Sequence, residues 1–282
     1  KARFLRLTKK LQSITGKKTS RPSQNKNLPL NRMVNKIAPI SALAVIILIW
    51  LLCCDFEIVP AYMLPSPIDV GKAFADNFAI MLKQASYTLQ EAVYGLGIGI
   101  ILAFIVATLM DRFSFIYKAV YPILIITQTI PAIAIAPLLV LWMGFGMAPK
   151  ITLVVITTFF PISIGLLDGF QSADGDEINM MRSMGANRLQ IFRHIKLPSA
   201  TGSFFSGLRI SASYAVVGAV ISEWLGGFYG LGVYMTRVKK AYAFDKMFAV
   251  IVFISVISLL LMALISVLQK AAMPWERKIK KS

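Results

Sequence analysis

The residue types that usually carry chemistry are scarce in this sequence. His194 is its one histidine, and the two cysteines, Cys53 and Cys54, are adjacent within an apolar run. His194 stands between Arg193 and Ile195 with no second His or Cys at ligand spacing, so neither a metal site nor acid–base catalysis is supported. Two neighbouring cysteines make no disulfide framework and no metal motif. No Gly-x4-Gly-Lys-Ser/Thr phosphate loop occurs, so the chain is not expected to bind ATP itself. What remains are polar groups inside apolar stretches, which are costly there and therefore default functional candidates. Arg209 lies about two turns into an apolar run; it reads as a solute contact, or as a structural pair or snorkelling cation. Glu91 and Glu223 fall near span ends, where water is expected to reach them. Gln128, Thr129, Ser211, Ser213 and Tyr214 sit at mid-depth, where such groups line a polar path or hydrogen-bond between helices. Neither the residue types nor their spacing points to bond-making chemistry.

A second constellation lies in the polar segment 171–202. Asp174 and Asp176 can cap a helix that carries Glu177 in its first turn. Ile178, Met181 and Met184 share one helical face, and Gly185 supplies a stop or sharp turn. Leu189, Phe192 and Ile195 repeat at helical spacing, and Pro198 is expected to end that short helix and begin the next span. Two short helices around a glycine turn make a compact knob, which suits docking into a partner's groove. An amphipathic connector between spans is the plainer alternative. The cations Arg188 and Arg193 can pair with acidic groups of a partner, or simply follow the membrane's charge bias.

The elements that must position these residues are set by composition. Across 282 residues, 57% are hydrophobic and 15% charged, and mean hydropathy is +0.69. The apolar residues come in runs suited to a bilayer, which needs roughly 20 per helix. Six spans are expected, near residues 37–54, 86–110, 119–143, 151–170, 203–221 and 247–270. The third carries Pro122, Pro131 and Pro137 and should be kinked or broken, which a membrane tolerates only beside protein or a wet cavity. Gly95 and Gly99 form a small-xxx-small pair suited to close helix packing. The segment from Glu223 to Gly232 has four glycines and three aromatics; Trp224, Phe228 and Tyr229 suit an interfacial belt or a loop that receives a partner.

Net charge is +17, with 30 Lys and Arg against 13 Asp and Glu. Eleven of these cations, and no acid, fall in residues 1–36. Such a segment cannot bury a core and is expected to be a disordered or lipid-bound tail. No cleavable leader is expected, because the first long apolar run begins only near Ile37. With the N-terminus inside, 22 of the basic residues lie in the inner segments and seven in the outer ones. That asymmetry predicts an all-α polytopic membrane protein with both termini in the cytoplasm. Its parts are a basic tail over 1–36, a membrane domain over 37–270 and a basic tail over 271–282. The charge is then a topology signal, and nucleic acid is not an expected partner.

The residues also carry a family resemblance. Gly185, nine residues, then Ile195-x-Leu197-Pro198 matches the second half of the EAA motif of ABC importer permeases, although Asn179-Met180-Met181 replaces its opening. Leu64-Pro-Ser-Pro67, the stretch Ile130 to Gly146, Phe159-Phe-Pro161 and Gly207-Leu-Arg209 resemble the branch of nitrate, taurine, sulfonate and pyrimidine-precursor permeases. The resemblance spans roughly residues 40 to 275. It implies a type I ABC importer permease fold in a bacterial inner membrane, with no catalysis and no cofactor of its own. ATP and Mg would be bound by a dimeric partner ATPase, an extracytoplasmic binding protein would deliver the solute, and a second permease copy would complete the path. It also implies a coupling hairpin at 171–202, with Met184, Gly185, Ala186, Asn187, Arg188, Leu197 and Pro198 facing the ATPase.

For the path itself, Gln128, Thr129, Arg209, Ser213, Tyr214 and Glu223 are the candidates. The stretches 211–227 and 230–240 look most like permeases for the hydroxymethylpyrimidine precursor of thiamine. An uncharged aromatic solute suits a path with aromatic and amide groups and few fixed cations. Sulfonate, taurine, nitrate and riboflavin-like solutes are the alternatives. A secondary transporter is the rival of another class, but the spans show no clear repeat and few buried carboxylates.

Overall fold

The computed structural model describes residues 29–60 and 62–274, without the side chains of residues 29–37 and 39. Residues 1–28 and 275–282, which hold most of both expected basic tails, lie outside the described residues. Every regular element among the described residues is helical.

The first helix, α1 (Pro29–Asp55), belongs to a compact unit of its own that ends at Phe56. Its described side chains between Ile40 and Leu52 are mostly exposed. The second unit holds α2 (Pro67–Asp76), α3 (Phe78–Arg112), α4 (Ser114–Thr129), α5 (Ala132–Met143) and α6 (Met147–Gln171). It continues with α7 (Gly175–Ser183), α8 (Arg188–Ile191), a π turn (Phe192–Lys196), α9 (Leu197–Glu223), α10 (Leu231–Lys240) and α11 (Phe244–Ala272). Ser66 caps α2, where Pro67 fills the first position and the Ser66 hydroxyl accepts the Asp69 N–H.

Four helical stretches are long and apolar enough to cross a membrane: α3, α6, Arg188–Glu223 and α11. A fifth span arises if α4 and α5 count as one broken crossing. The apolar part of α1, Ile40–Asp55, is shorter than the roughly 20 residues a helix needs to cross a bilayer. Against the six spans expected from sequence, the described residues hold four, or five with the bent pair.

The bend between α4 and α5 is 101°. Of the three prolines, only Pro131 breaks the chain; Pro122 and Pro137 lie inside helices. Ile130, just before Pro131, is extended at φ −84° and ψ 121°, the conformation that a following proline ring enforces.

The core runs along α6, which packs between α3 and α9. Its inward residues are small: Ala92, Ala103 and Ala107 from α3 and Ala200, Ala212, Ala215 and Ala219 from α9 are all fully buried or nearly so. Glycines bring the backbones closer still. A Cβ on Gly95 would overlap the Val154 side chain, and one on Gly99 would lie 2.6 Å from Thr158 Oγ1. On the other side of α6, a Cβ at Gly169 would sit 2.5 Å from Ala200 Cα, and one at Gly207 would strike the Pro161 carbonyl. Without a hydrophobic drive between helices in lipid, such close approach and interhelical hydrogen bonds hold spans together. Ser211 supplies one such bond, its hydroxyl donating to the Thr158 carbonyl of α6 at 2.8 Å.

Pro198 does not interrupt the chain as the sequence led us to expect. Helix runs from Arg188 through the π turn into α9, and the Leu197 N–H reaches back to the Phe192 carbonyl. The wider turn admits a residue that lacks an N–H without ending the helix.

Candidate translocation groove and docking hairpin

The hairpin is built by local capping. Asp174 Oδ1 accepts the Asp176 N–H at 2.9 Å, and Asp176 and Glu177 occupy the positive end of α7. At the other end Gly185 adopts φ +82°. Its N–H bonds the Arg182 carbonyl at 2.9 Å, and the Ala186 N–H bonds the Met181 carbonyl at 3.0 Å. This is the Schellman closure that a left-handed glycine permits. Asn187 then opens α8 in a reciprocal capping box with Gln190, with bonds of 2.8 and 2.7 Å. The turn is therefore rigid, and Met184 and Leu189 protrude from it at 72% and 73% exposure. Leu189, Phe192 and Ile195 repeat at helical spacing in the sequence, yet they do not share one buried face. In the structure Ile191 and Ile195 are buried, and Leu189 points away.

The hairpin is pinned at its base by an ion pair from Lys196 Nζ to Asp111 Oδ1 of α3, at 2.7 Å. Arg112, Arg182, Arg188 and Lys196 surround a cavity of about 630 Å³ there. Leu197 is half-buried and Pro198 exposed where α9 begins. His194 is exposed, with Nδ1 at 2.9 Å from the Gln190 carbonyl.

The groove follows from the break at Pro131. One cavity, of about 260 Å³, is lined by Gln128, Pro131 and Ile135 from the bent pair, Thr157 from α6, and Tyr214 and Ile221 from α9. A second, of about 460 Å³, adjoins it and is lined by Gln128, Asp168, Ser203, Ser206 and Tyr214. Gln128 and Tyr214 border both. Neither cavity has a Lys, Arg or His in its lining.

The other path candidates lie elsewhere. Thr129 is exposed and spends its hydroxyl on the Ile126 carbonyl at 2.8 Å. Ser213 is half-buried and lines neither cavity. Arg209 turns to α11, where Nη2 donates to Gln269 Oε1 at 2.6 Å.

Glu223 and Glu91, expected to meet water at span ends, are instead 1% and 2% exposed. Glu223 Oε1 accepts the Thr88 hydroxyl at 2.7 Å, and Oε2 accepts the Gly232 N–H at the start of α10. The Leu231 N–H donates to Thr88 Oγ1 and the Gly230 N–H to Gln84 Oε1, at 2.9 and 2.8 Å. Side chains of α3 and α9 thus satisfy the open N–H groups of α10. Tyr229 stacks on Tyr87 with centroids 4.9 Å apart, tying down the aromatic loop. Further along α10, burial and nearby Asp245 raise the Tyr234 phenol's pKa despite Arg237. Its hydroxyl donates to Asn77 Oδ1 at 3.3 Å.

Sequence reasoning missed two features. Lys150, counted among the outer cations, is 6% exposed and forms a buried ion pair with Glu91 at 2.6 Å. Asp168, on α6, was not singled out, yet it contributes the groove's one carboxylate. Lys150 borders the expected span 151–170 and Asp168 falls inside it, which was the available signal for both. Among the described residues no group of three or more His, Cys, Asp or Glu is placed to hold a metal.

Apolar spans packed through glycine seams, a polar groove opened by a broken span and a capped hairpin at one end define a multi-pass membrane transport subunit. Residues 95–277 match the family described as binding-protein-dependent transport system inner membrane component, and the chain belongs to that family. It is 36% identical to the formylaminopyrimidine transport permease protein ThiX of Halalkalibacterium halodurans, over 77% of this chain and 87% of that one. It is 29% identical to the riboflavin transport system permease protein RibX of Chloroflexus aurantiacus, over 77% of this chain and 82% of that one. In fold it resembles the inward-facing MetNI methionine ABC transporter, with a TM-score of 0.60 and 20% identity over 68% of this chain and 95% of that one. The chain is thus a permease subunit of an ABC importer of the bacterial inner membrane. Such subunits are non-catalytic, and a separate ATPase hydrolyses ATP.

Proposed function

We propose that this permease passes a pyrimidine precursor of thiamine, paired with a second copy of itself and served by an extracytoplasmic binding protein. The observation that carries the solute is the 36% identity to a formylaminopyrimidine permease along most of both chains. The groove supports it: an amide and a phenol border both cavities and no cation lines either. In this reading the hairpin at 171–202 is the coupling element. Its protruding Met184 and Leu189 enter a cleft of the ATPase, Arg188 meets acidic groups there, and the ATPase binds ATP and Mg. The glycine-rich loop around Trp224 and Phe228 receives the binding protein.

The test is uptake of labelled formylaminopyrimidine into proteoliposomes holding the permease, its ATPase and its binding protein. Uptake that requires ATP and is outcompeted by other pyrimidines is expected. Uptake of taurine or nitrate with none of the pyrimidine would overturn the solute. Riboflavin uptake instead would move it to the solute class of the second relative. Uptake without ATP or ATPase would make the protein a secondary transporter.

A further inference from the structure

The groove has a chemical polarity that the six sequence candidates do not explain. Its larger cavity, about 460 Å³, falls in the range of about 300–1,000 Å³ typical of small-molecule sites. Its polar lining is Gln128, Tyr214, Ser203, Ser206 and Asp168. Ser206 gives its hydroxyl to the Gly202 carbonyl at 3.0 Å. Gln128 and Asp168 make no side-chain hydrogen bond or ion pair among the described residues, and both are exposed. Arg209, one helical turn beyond Ser206, would be the natural counter-ion. It turns to Gln269 on α11 instead, with its Nε left without a partner among the described residues. The groove is left with one carboxylate and no balancing cation.

An unpaired carboxylate in the same groove as an amide and a phenol accepts N–H donors and repels anions. We propose that this groove passes a flat heteroaromatic bearing N–H donors from Gln128 and Tyr214 at one end to an Asp168 subsite at the other, with Asp168 as the residue that selects it. The Tyr214 ring offers a face for stacking, and the Gln128 amide matches a donor–acceptor edge. The Asp168 carboxylate accepts the solute's amino or ring N–H. The same charge turns away nitrate and the sulfonate end of taurine. This deepens the solute reading above and rests on it.

Because a binding protein delivers the solute, a subsite in the path acts after capture. Asp168→Asn should therefore lower the maximal uptake rate while leaving the half-saturating concentration within about twofold. Loss of one charge-assisted hydrogen bond predicts a fall of about tenfold. Asp168→Glu should restore at least half of the wild-type rate, which a residue acting only through packing would not show.

The experiment reconstitutes the complete wild-type and variant transporters in proteoliposomes and supplies labelled formylaminopyrimidine, riboflavin, taurine and nitrate in turn. If the wild type takes up the pyrimidine and Asp168→Asn slows it tenfold, with rescue by glutamate, the subsite stands. If the wild type takes up the pyrimidine and Asp168→Asn is unchanged, the subsite falls and the solute reading survives. If it takes up riboflavin alone, the pyrimidine reading falls, and the same variant decides the subsite on riboflavin. Wild-type uptake of taurine or nitrate alone, or of none of the four, overturns both. Should Asp168→Asn fail to assemble, Gln128→Ala replaces it, with the same tenfold fall expected and unchanged uptake counting against the subsite.

Discussion

Lys150 Nζ lies 2.6 Å from Glu91 Oε1, and both side chains are sealed from solvent at 8% and 3% exposure. The pair joins the first turn of α6 to the middle of α3, 59 residues apart in sequence. Glu91 Oε2 has no hydrogen-bond partner among the described residues. Lys150 also lies against Gly227, where a Cβ would come within 3.0 Å of Nζ. One cation therefore underlies the loop that Glu223 secures from α9.

Removing half of this pair leaves a buried charge. Lys150→Met or Glu91→Leu alone should cost about 3–5 kcal/mol, whereas the double variant replaces both ions with apolar groups and should recover much of that loss. Unfolding of the detergent-solubilised permease, analysed as a double-mutant cycle, checks this. Losses that simply add would mean that the two side chains do not depend on each other.

Gly230 holds φ +122°, and a Cβ there would collide with the Glu223 carboxylate. Gly230→Ala should therefore displace α10 from its cap while leaving the hairpin untouched. Hydrogen exchange should rise across 224–240, and stimulation of the ATPase by the binding protein should fall at least fivefold. Co-purification of the ATPase should persist. Glu223→Gln, whose amide oxygen can keep the Gly232 N–H while its amide nitrogen donates to Thr88 Oγ1 instead of accepting from it, should do less harm. Equal damage from the two variants would show that the negative charge, rather than the geometry, holds the loop.

The parts legible in the sequence are those set by local backbone chemistry. Asp174 as a cap, the Gly185 turn and the break among three prolines follow from rules that act over a few residues. The break was narrowed to Pro131 only by tertiary packing, since Pro122 and Pro137 obey the same local rule and stay helical. Pro198 misled because a π turn upstream absorbs it. Partners distant along the chain were illegible. Nothing in a one-dimensional pattern pairs Lys150 with Glu91 or Lys196 with Asp111, and hydropathy counts Lys150 as a loop cation. Asp168 was hidden for a similar reason, because a carboxylate three residues from a helix end reads as ordinary surface.

At the hairpin, Gly185→Leu forces a branched side chain into a left-handed backbone, costing roughly 1–2 kcal/mol locally. The rest of the fold should survive, since a Cβ there meets no atom within 4 Å. Met184→Glu with Leu189→Glu leaves the turn intact and makes its tip anionic. Both variants should reduce ATPase co-purification at least tenfold while the permease still elutes as a folded species. Undiminished co-purification from both would remove the hairpin from the ATPase interface.

The seam between α6 and α9 gives a contrast among glycines. Gly207 faces the Pro161 carbonyl so closely that a methyl group cannot enter unless the two backbones separate. Gly207→Ala should therefore cost about 1–3 kcal/mol or more by overpacking. Gly202 lies on the same helix, and its Cβ would meet only Met273 Cε, at 3.7 Å. Gly97, on α3, would meet nothing within 4 Å. Alanine at either position removes backbone freedom from the unfolded chain and should be neutral or stabilising by up to about 1 kcal/mol. Thermal unfolding of the three variants in one detergent checks the order. A Gly207→Ala variant as stable as Gly97→Ala would mean that α6 and α9 do not meet backbone to backbone, and the groove that borders this seam would then be drawn too narrow.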